Sequence, residues 1–398
     1  MSAPEPIPGA RLLFSNDAAV AQLNHGSFGL VPIPVQRAQQ RLRDEVEANP
    51  PRFFSVGLEE RIAHVRRHLA AFVGADPDLT ALVDNATTGT STVLAALGGG
   101  DGGDGDDGGS LGSGDEIVTT DHGYGAVDLA VDAFCRRTGA SRRVARMPLA
   151  PDDDAAVEAV LDAVTGRTRL VVVDHITAAT ARVLPVRRIV EAVRGRAGER
   201  AAVLVDAAHA PGILPDPVAG IGADFWVGNL HKWAYAPRGT ALLSVAPRWR
   251  GRLQSLVVSW NQDAGFPDSL EWLGARDYTP WLAAPTGLFV LRSLGLDAVH
   301  RHNTALAEHG QALLAEALGE AVPPRTGLPM TVVPLPQGAV TEPAAATALR
   351  RRISDELATE VGLAAWRGRG YLRLSAQVYN REDDFQRLVE GLPKLLRR

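Results

Sequence analysis

The chain holds one cysteine, Cys135. No intrachain disulfide can form, which fits a reducing compartment and makes the cytoplasm the expected location. The opening Met-Ser-Ala-Pro-Glu-Pro-Ile-Pro lacks the charged and apolar regions of a secretory signal. No apolar run approaches the roughly 20 residues that a membrane helix needs. Charge of one sign is also scarce. The net charge is -5, and the basic groups Arg350-Arg351-Arg352 and Lys394, Arg397, Arg398 are short. Neither nucleic acid nor membrane is therefore an expected partner. Metal ligands are sparse too. His64 and His68 are separated by Val65-Arg66-Arg67, without the glutamate of a zinc protease helix, and His300-Arg301-His302 joins no four-ligand set. No metal is expected.

What is present describes an ordinary globular chain. Its 398 residues are 45% hydrophobic and 22% charged, enough to bury a large core in a large and a smaller domain. From Thr80 to Thr240, short apolar runs alternate with amphipathic stretches. Ala81–Val83, Ile117–Thr120, Leu170–Val173, Ala201–Val205, Phe225–Val227 and Thr240–Val245 read as strands. Thr87–Leu97, capped by Thr87 or Thr88, and Tyr124–Arg137 read as helices. Such alternation predicts an α/β fold with a mostly parallel sheet covered on both faces. After Leu282 helical patterns dominate, with strands at Met330–Val333 and Tyr371–Leu374. The expected division is an N-terminal arm over 1–22, a large domain over 23–281 and a small α+β domain over 282–398. Residues 98–114, nearly all Gly, Asp and Ser, read as a surface insertion. Its Gly103–Gly108 matches G-x-G-x-x-G but follows a helix, and its aspartates would repel a pyrophosphate.

Ligands of an open parallel sheet sit at the carboxyl ends of its strands. Three groups fall there. Asn85-Ala86-Thr87-Thr88-Gly89 stands at a strand-to-helix junction, where free N–H groups and hydroxyls form a phosphate cup or simply cap the helix. Asp206 follows five apolar residues, so its carboxylate needs a buried partner; a protonated pyridine nitrogen is one, a capping or ion-pair role another. Lys232, in Gly228-Asn229-Leu230-His231-Lys232-Trp233, follows a third strand. An amine in a partly apolar setting loses its proton more readily and attacks carbonyls. Cup, acid and amine occur in the order that a pyridoxal phosphate site requires.

With these motifs the sequence resembles the class V aminotransferase family of the type I pyridoxal phosphate fold, and its isopenicillin N epimerase-like branch. The resemblance spans Leu23–Gly29, Asn49–Phe54, Asp121–Gly125, the Asp206 and Lys232 motifs, Trp272–Asp277 and Arg373–Asn380. It implies pyridoxal 5'-phosphate as cofactor, held as a Schiff base on Lys232, with Asp206 at the pyridine nitrogen and His209 at the ring oxygen. Thr87, Thr88, Asn229 and His231 would bind the phosphate, and Tyr124 or His122 would stack on the ring or move protons. Arg373, with Asn24 and His25, would hold an amino-acid substrate, the arginine gripping its α-carboxylate as a bidentate fork. A homodimer with sites at the subunit interface is also implied.

The sequence departs from the family at three places. Ala275 replaces a Thr or Ser that reaches the neighbouring subunit's phosphate. Ala178-Ala179 replaces residues beside the cofactor oxygen, and Gly362–Tyr371 has no persulfide-forming cysteine. Cys135 reads as a small core residue of a helix. Phe53, Phe54, Trp260 and Trp272 fit either a substrate pocket or core packing. The expected chemistry is removal of the α-proton to give a quinonoid carbanion, followed by epimerisation. The alternatives are a carbon–sulfur lyase or an aminotransferase, and, in another class, a non-catalytic binding protein of the same fold.

Overall fold

The computed structural model describes residues 3–98 and 110–397. Seven strands form the central sheet: β1 (Thr80–Val83), β2 (Glu116–Thr120), β3 (Ser141–Ala145), β4 (Thr168–Asp174), β5 (Ala202–Asp206), β6 (Phe225–Asn229) and β7 (Ala241–Val245). Their spatial order is β1-β7-β6-β5-β4-β2-β3. β7 runs antiparallel to β1 and β6, and every other neighbouring pair is parallel.

The longer helices are α1 (Ile33–Ala48), α2 (Leu58–Val73), α3 (Ala86–Gly98), α4 (Gly125–Thr138), α5 (Asp153–Ala163), α6 (Val186–Ala197), α7 (Thr279–Leu294), α8 (Leu296–Leu318), α9 (Pro343–Leu357) and α10 (Glu382–Leu396). Both sheet faces are buried. Val171, Val173, Val203 and Val205 pack with α2, α5, α6 and α7, whereas Leu170, Val172, Leu204, Phe225 and Val227 pack with α3 and α4. This alternation aims the strand ends. Asp174, Asp206 and Asn229 share the parity of the second set and emerge on the α3/α4 face.

The strands expected from apolar runs are present, with ends shifted by a residue or two. β3 is an addition. Its Ser-Arg-Arg-Val-Ala is half-exposed at the sheet edge, where pairing to β2 rather than burial of an apolar run defines the strand. Asn85, not Thr87 or Thr88, caps α3: its Oδ1 accepts from the Thr88 N–H at 2.9 Å. Of the Gly/Asp-rich stretch, residues 99–109 lie outside the described residues.

A second sheet, β8 (Met330–Pro334), β9 (Gly362–Trp366) and β10 (Arg369–Ser375), is antiparallel in the order β9-β10-β8. It packs on α8, α9 and α10 through Leu314, Ile353, Leu372, Leu374, Phe385 and Leu388. The N-terminal segment joins this part of the molecule, since Ala21–Gln22 pairs in parallel with Thr359–Glu360. Among the described residues, no single helix is long and apolar enough to cross a membrane.

Candidate active site

A cavity of about 520 Å³ opens at the carboxyl ends of β4, β5 and β6. Thr87 and Thr88, Asp174 and Asp206, His209, Asn229, His231 and Lys232 line it, with Tyr124 and Ser27 at its mouth. Along the chain these groups stand at the ends of different strands or at the start of a helix. Sheet order brings them together.

Lys394 is exposed, whereas Lys232 is half-buried in the cavity wall. Burial, and next the nearby Arg373 guanidinium, lower its ammonium to about 7, opposed by Asp206 and Asp174. Its Nζ lies 3.2 Å from His209 Nε2, while the Trp233 indole N–H donates to His209 Nδ1 at 3.3 Å. An indole nitrogen can only donate, so His209 Nδ1 is the bare acceptor and the ring proton sits on Nε2. That N–H needs an acceptor, which an amine supplies only without its proton. Burial and the nearby Lys232 charge hold His209 well below the usual histidine range, consistent with a neutral ring.

Asp206 Oδ1 accepts from the Ala208 N–H at 3.0 Å, and its Oδ2 is buried with no partner. Burial raises the carboxyl above its ordinary value. An orphaned carboxylate oxygen beside a lysine requires a cationic N–H donor to stay charged. A protonated pyridine nitrogen is such a donor. At the other end of the cavity, Asn229 Oδ1 takes the Ala86 N–H at 2.8 Å and Asn85 takes that of Thr88. Asn229 therefore fixes the start of α3, and the N–H and hydroxyl of Thr87 are left for an anion at a positive helix end. His231 Nδ1 donates to the Thr240 carbonyl at 3.1 Å, leaving Nε2 bare. Burial, and then the Lys232 charge, lower it to about 4. A phosphate dianion bound there would oppose that lowering and favour a proton on Nε2. Lysine, acid and anion cup thus fit pyridoxal phosphate.

Arg373 on β10 is buried, not the surface arginine its strand position alone would suggest. Its Nη1 donates to the Ala178 carbonyl at 2.7 Å, and its Nη2 to Asn24 Oδ1 at 3.1 Å and Ser27 Oγ at 2.7 Å. Nε is buried without a partner. Burial lowers the guanidinium to about 10, so it stays charged at neutral pH. All of these acceptors are neutral. A carboxylate taking Arg373 as a fork displaces one of them. Asn24 lines neither the cavity nor its neighbour; its Oδ1 accepts from Arg373 and, at 2.7 Å, from the Ser27 hydroxyl, and so orients the arginine.

Besides Asn24, two more expected site residues lie outside the cavity lining. His25 is buried outside the cavity wall. Its Nε2–H donates to the Lys232 carbonyl at 2.9 Å, and its Nδ1 accepts from the Tyr379 hydroxyl at 2.9 Å. It holds the lysine backbone rather than substrate. His122 is also buried away from the cavity, with Nδ1 on the Thr180 hydroxyl at 2.6 Å and Nε2 on the Met147 carbonyl. Of that pair only Tyr124, 47% exposed, lines the cavity. The aromatic candidates separate as well: Phe53 is core, Trp260 is exposed, and neither they nor Phe54 and Trp272 line the cavity. Cys135 packs beside the α3/α4 core.

Asp174 is the residue that sequence reading passed over. It pairs in register with Asp206, lines the same cavity, and is raised well above the carboxylate range by burial and then by Asp206. Its signal was available: like Asp206, it is an acid directly after a run of apolar residues, Leu170–Val173.

The fold and site define a cofactor-dependent α/β enzyme. The class-V aminotransferase profile matches residues 34–388, and the chain belongs to that family of pyridoxal phosphate enzymes. Isopenicillin N epimerase of Streptomyces clavuligerus is 30% identical over 400 residues, covering 95% of this chain and 96% of that protein. Putative L-cysteine desulfhydrase 1 of Oryza sativa subsp. japonica is 32% identical over 417 residues, covering 96% and 84%. Among solved structures, a C-DES mutant with glycine covalently linked to its PLP cofactor has the same fold. It matches with a TM-score of 0.78 at 21% identity, covering 98% of this chain and 99% of that one.

Proposed function

We propose that this enzyme removes the α-proton of an amino acid and returns one on the opposite face, an epimerisation. The observation that carries the reading is the joint presence of Lys232 and Tyr124, two proton-handling groups, around one cavity that also presents Arg373's neighbour Ser27. Bound pyridoxal phosphate supplies the electron sink for the pair left when the α C–H bond breaks.

The protein's residues supply the rest. Lys232 would hold the cofactor and, as a free amine, take the α-proton on Nζ. Asp206 Oδ2, buried without a partner, would accept the N–H of a protonated pyridine. Thr87 and His231 would hold the phosphate, and Arg373 would orient the substrate by its α-carboxylate. Tyr124 delivers a proton from its hydroxyl to the other face and recovers one from solvent at the open mouth.

A carbon–sulfur lyase is the second reading, favoured by the desulfhydrase relative. There Tyr124 would protonate the leaving sulfur instead. We also propose a homodimer. Val257, Val258 and Trp260 form an exposed apolar stretch, 54%, 80% and 90% accessible, of the kind a second subunit covers. Incubation of amino acids with the loaded enzyme in D₂O tests the reaction. Deuterium at the α-carbon with loss of chirality is expected. Release of pyruvate, ammonia and a thiol from an S-substituted cysteine, without racemisation, would replace the epimerase by the lyase.

A further inference from the structure

A side chamber of about 250 Å³ adjoins the main cavity, with Ser27, Tyr124 and Ala178 lining both. Two arginines line it. Arg373 is buried on β10, and Arg350 on α9 stands exposed in the same chamber. No acidic residue lines the chamber. Among the described residues, neither guanidinium makes an ion pair with a carboxylate, although Arg351's neighbour Arg352 pairs with Glu356 close by.

Glycine keeps the space open. A Cβ on Gly362 would lie 2.9 Å from Arg373 Nε, so only a residue without a side chain leaves that nitrogen its room. Gly123, Gly125, Ala179 and Ala364 also line it without bulk or charge, beside the larger Tyr124 and Leu363.

Two cations face a volume large enough for a side chain of several heavy atoms, and one α-carboxylate offsets only one of them. Arg373 is buried and costly without an anion, whereas Arg350 is exposed and solvated; what Arg350 offers is a planar guanidinium suited to a carboxylate at the rim of the same chamber. We infer that the substrate is an amino acid whose side chain ends in a second carboxylate. Arg373 takes the α-carboxylate, and Arg350 takes the distal one at the chamber rim. This rests on the reading above that Arg373 holds the α-carboxylate of a substrate losing its α-proton.

The test compares acids with their size-matched amides, L-glutamate with L-glutamine and L-aspartate with L-asparagine, by α-deuterium uptake in D₂O with the full-length loaded enzyme. The acid of one pair should exceed its amide at least tenfold in kcat/KM. That ratio should fall towards one in Arg350→Gln and be partly restored in Arg350→Lys. A wild-type ratio of one or less in both pairs, or one unmoved by Arg350→Gln, overturns the inference. Calorimetry with glutarate and butyrate separates it from the parent reading. A preference for glutarate that depends on Arg350, found without α-proton exchange in any amino acid, would sink the reaction and leave the dianion site standing. Exchange without either preference would sink the site alone.

Discussion

The indole N–H of Trp233 points at Nδ1 of His209, 3.3 Å away, and so decides which ring nitrogen faces Lys232. With Nδ1 engaged as acceptor, Nε2–H donates towards the amine and favours its free base. Trp233→Phe keeps the ring shape and removes the donor. The imidazole can then turn a bare Nε2 to the ammonium, which stabilises the charged lysine. The midpoint of Lys232 should rise from near 7 by on the order of one pH unit. Reductive methylation of the cofactor-free chain across pH, read by mass spectrometry, measures it. The chain has only one other lysine, exposed Lys394, as an internal reference. In a His209→Ala background the tryptophan should no longer matter. An unchanged or lowered midpoint in Trp233→Phe disproves the relay.

Asp206 has one oxygen with no partner, so its loss should leave the cofactor attached while weakening the charge that holds the ring protonated. Asp206→Ala is expected to slow α-proton removal by on the order of a hundredfold or more. Isotope exchange followed by proton NMR reads this, with the visible band as a check on loading. Wild-type exchange in the variant would remove Asp206 from the chemistry.

Arg373→Ala should lower kcat/KM by on the order of a hundredfold, with cofactor affinity unchanged. Asn24→Ala should cost less, because Asn24 acts only by orienting Arg373 at 3.1 Å. Equal losses in the two variants would mean that Asn24 touches substrate itself.

Gly29 lies against the lysine's backbone. A Cβ there would come within 2.5 Å of the Lys232 carbonyl oxygen and 2.8 Å of that of His231. Gly29→Ala must displace this backbone, at a cost of about 1–3 kcal/mol. The denaturation midpoint should drop and the visible band develop more slowly on adding cofactor. A variant that melts and loads like wild type would show that the segment yields freely.

Acid should destabilise the cofactor-free protein. Burial lowers both His25 and His231 to about 4 in the fold, whereas an unfolded chain takes up those protons near pH 6.5. At these two histidines the unfolded state thus binds more protons between these values, so their contribution to stability falls as pH drops from about 6.5 to about 4, opposed by the raised carboxyls of Asp174 and Asp206. Melting temperatures across that window check the sign. Bound phosphate, by favouring charged His231, should flatten the profile; a loaded protein more acid-sensitive than the empty one would contradict the assignment of His231.

Apolar runs were enough to locate β4, β5 and β6, because strands buried on both faces cannot carry polar residues except at their ends. The same rule made Asp206 visible, and it applied equally to Asp174. β3 escaped because an edge strand satisfies its backbone on one side and leaves Ser141 and Arg143 in water.

Local sequence determined which chemical groups end the strands and that Lys232 follows one of them, since these depend on burial along the chain. The tertiary structure alone decided which groups meet. His122 and Tyr124 are two residues apart, yet one packs against Thr180 and Met147 while the other faces the cavity. His25 reaches the Lys232 carbonyl across the molecule. Arg373 looks like any strand arginine until β10 is packed against Asn24, Ser27 and Ala178, and its burial then turns a common surface residue into a charge that awaits an anion. Such contacts join residues far apart in the chain, so no spacing along it can encode them.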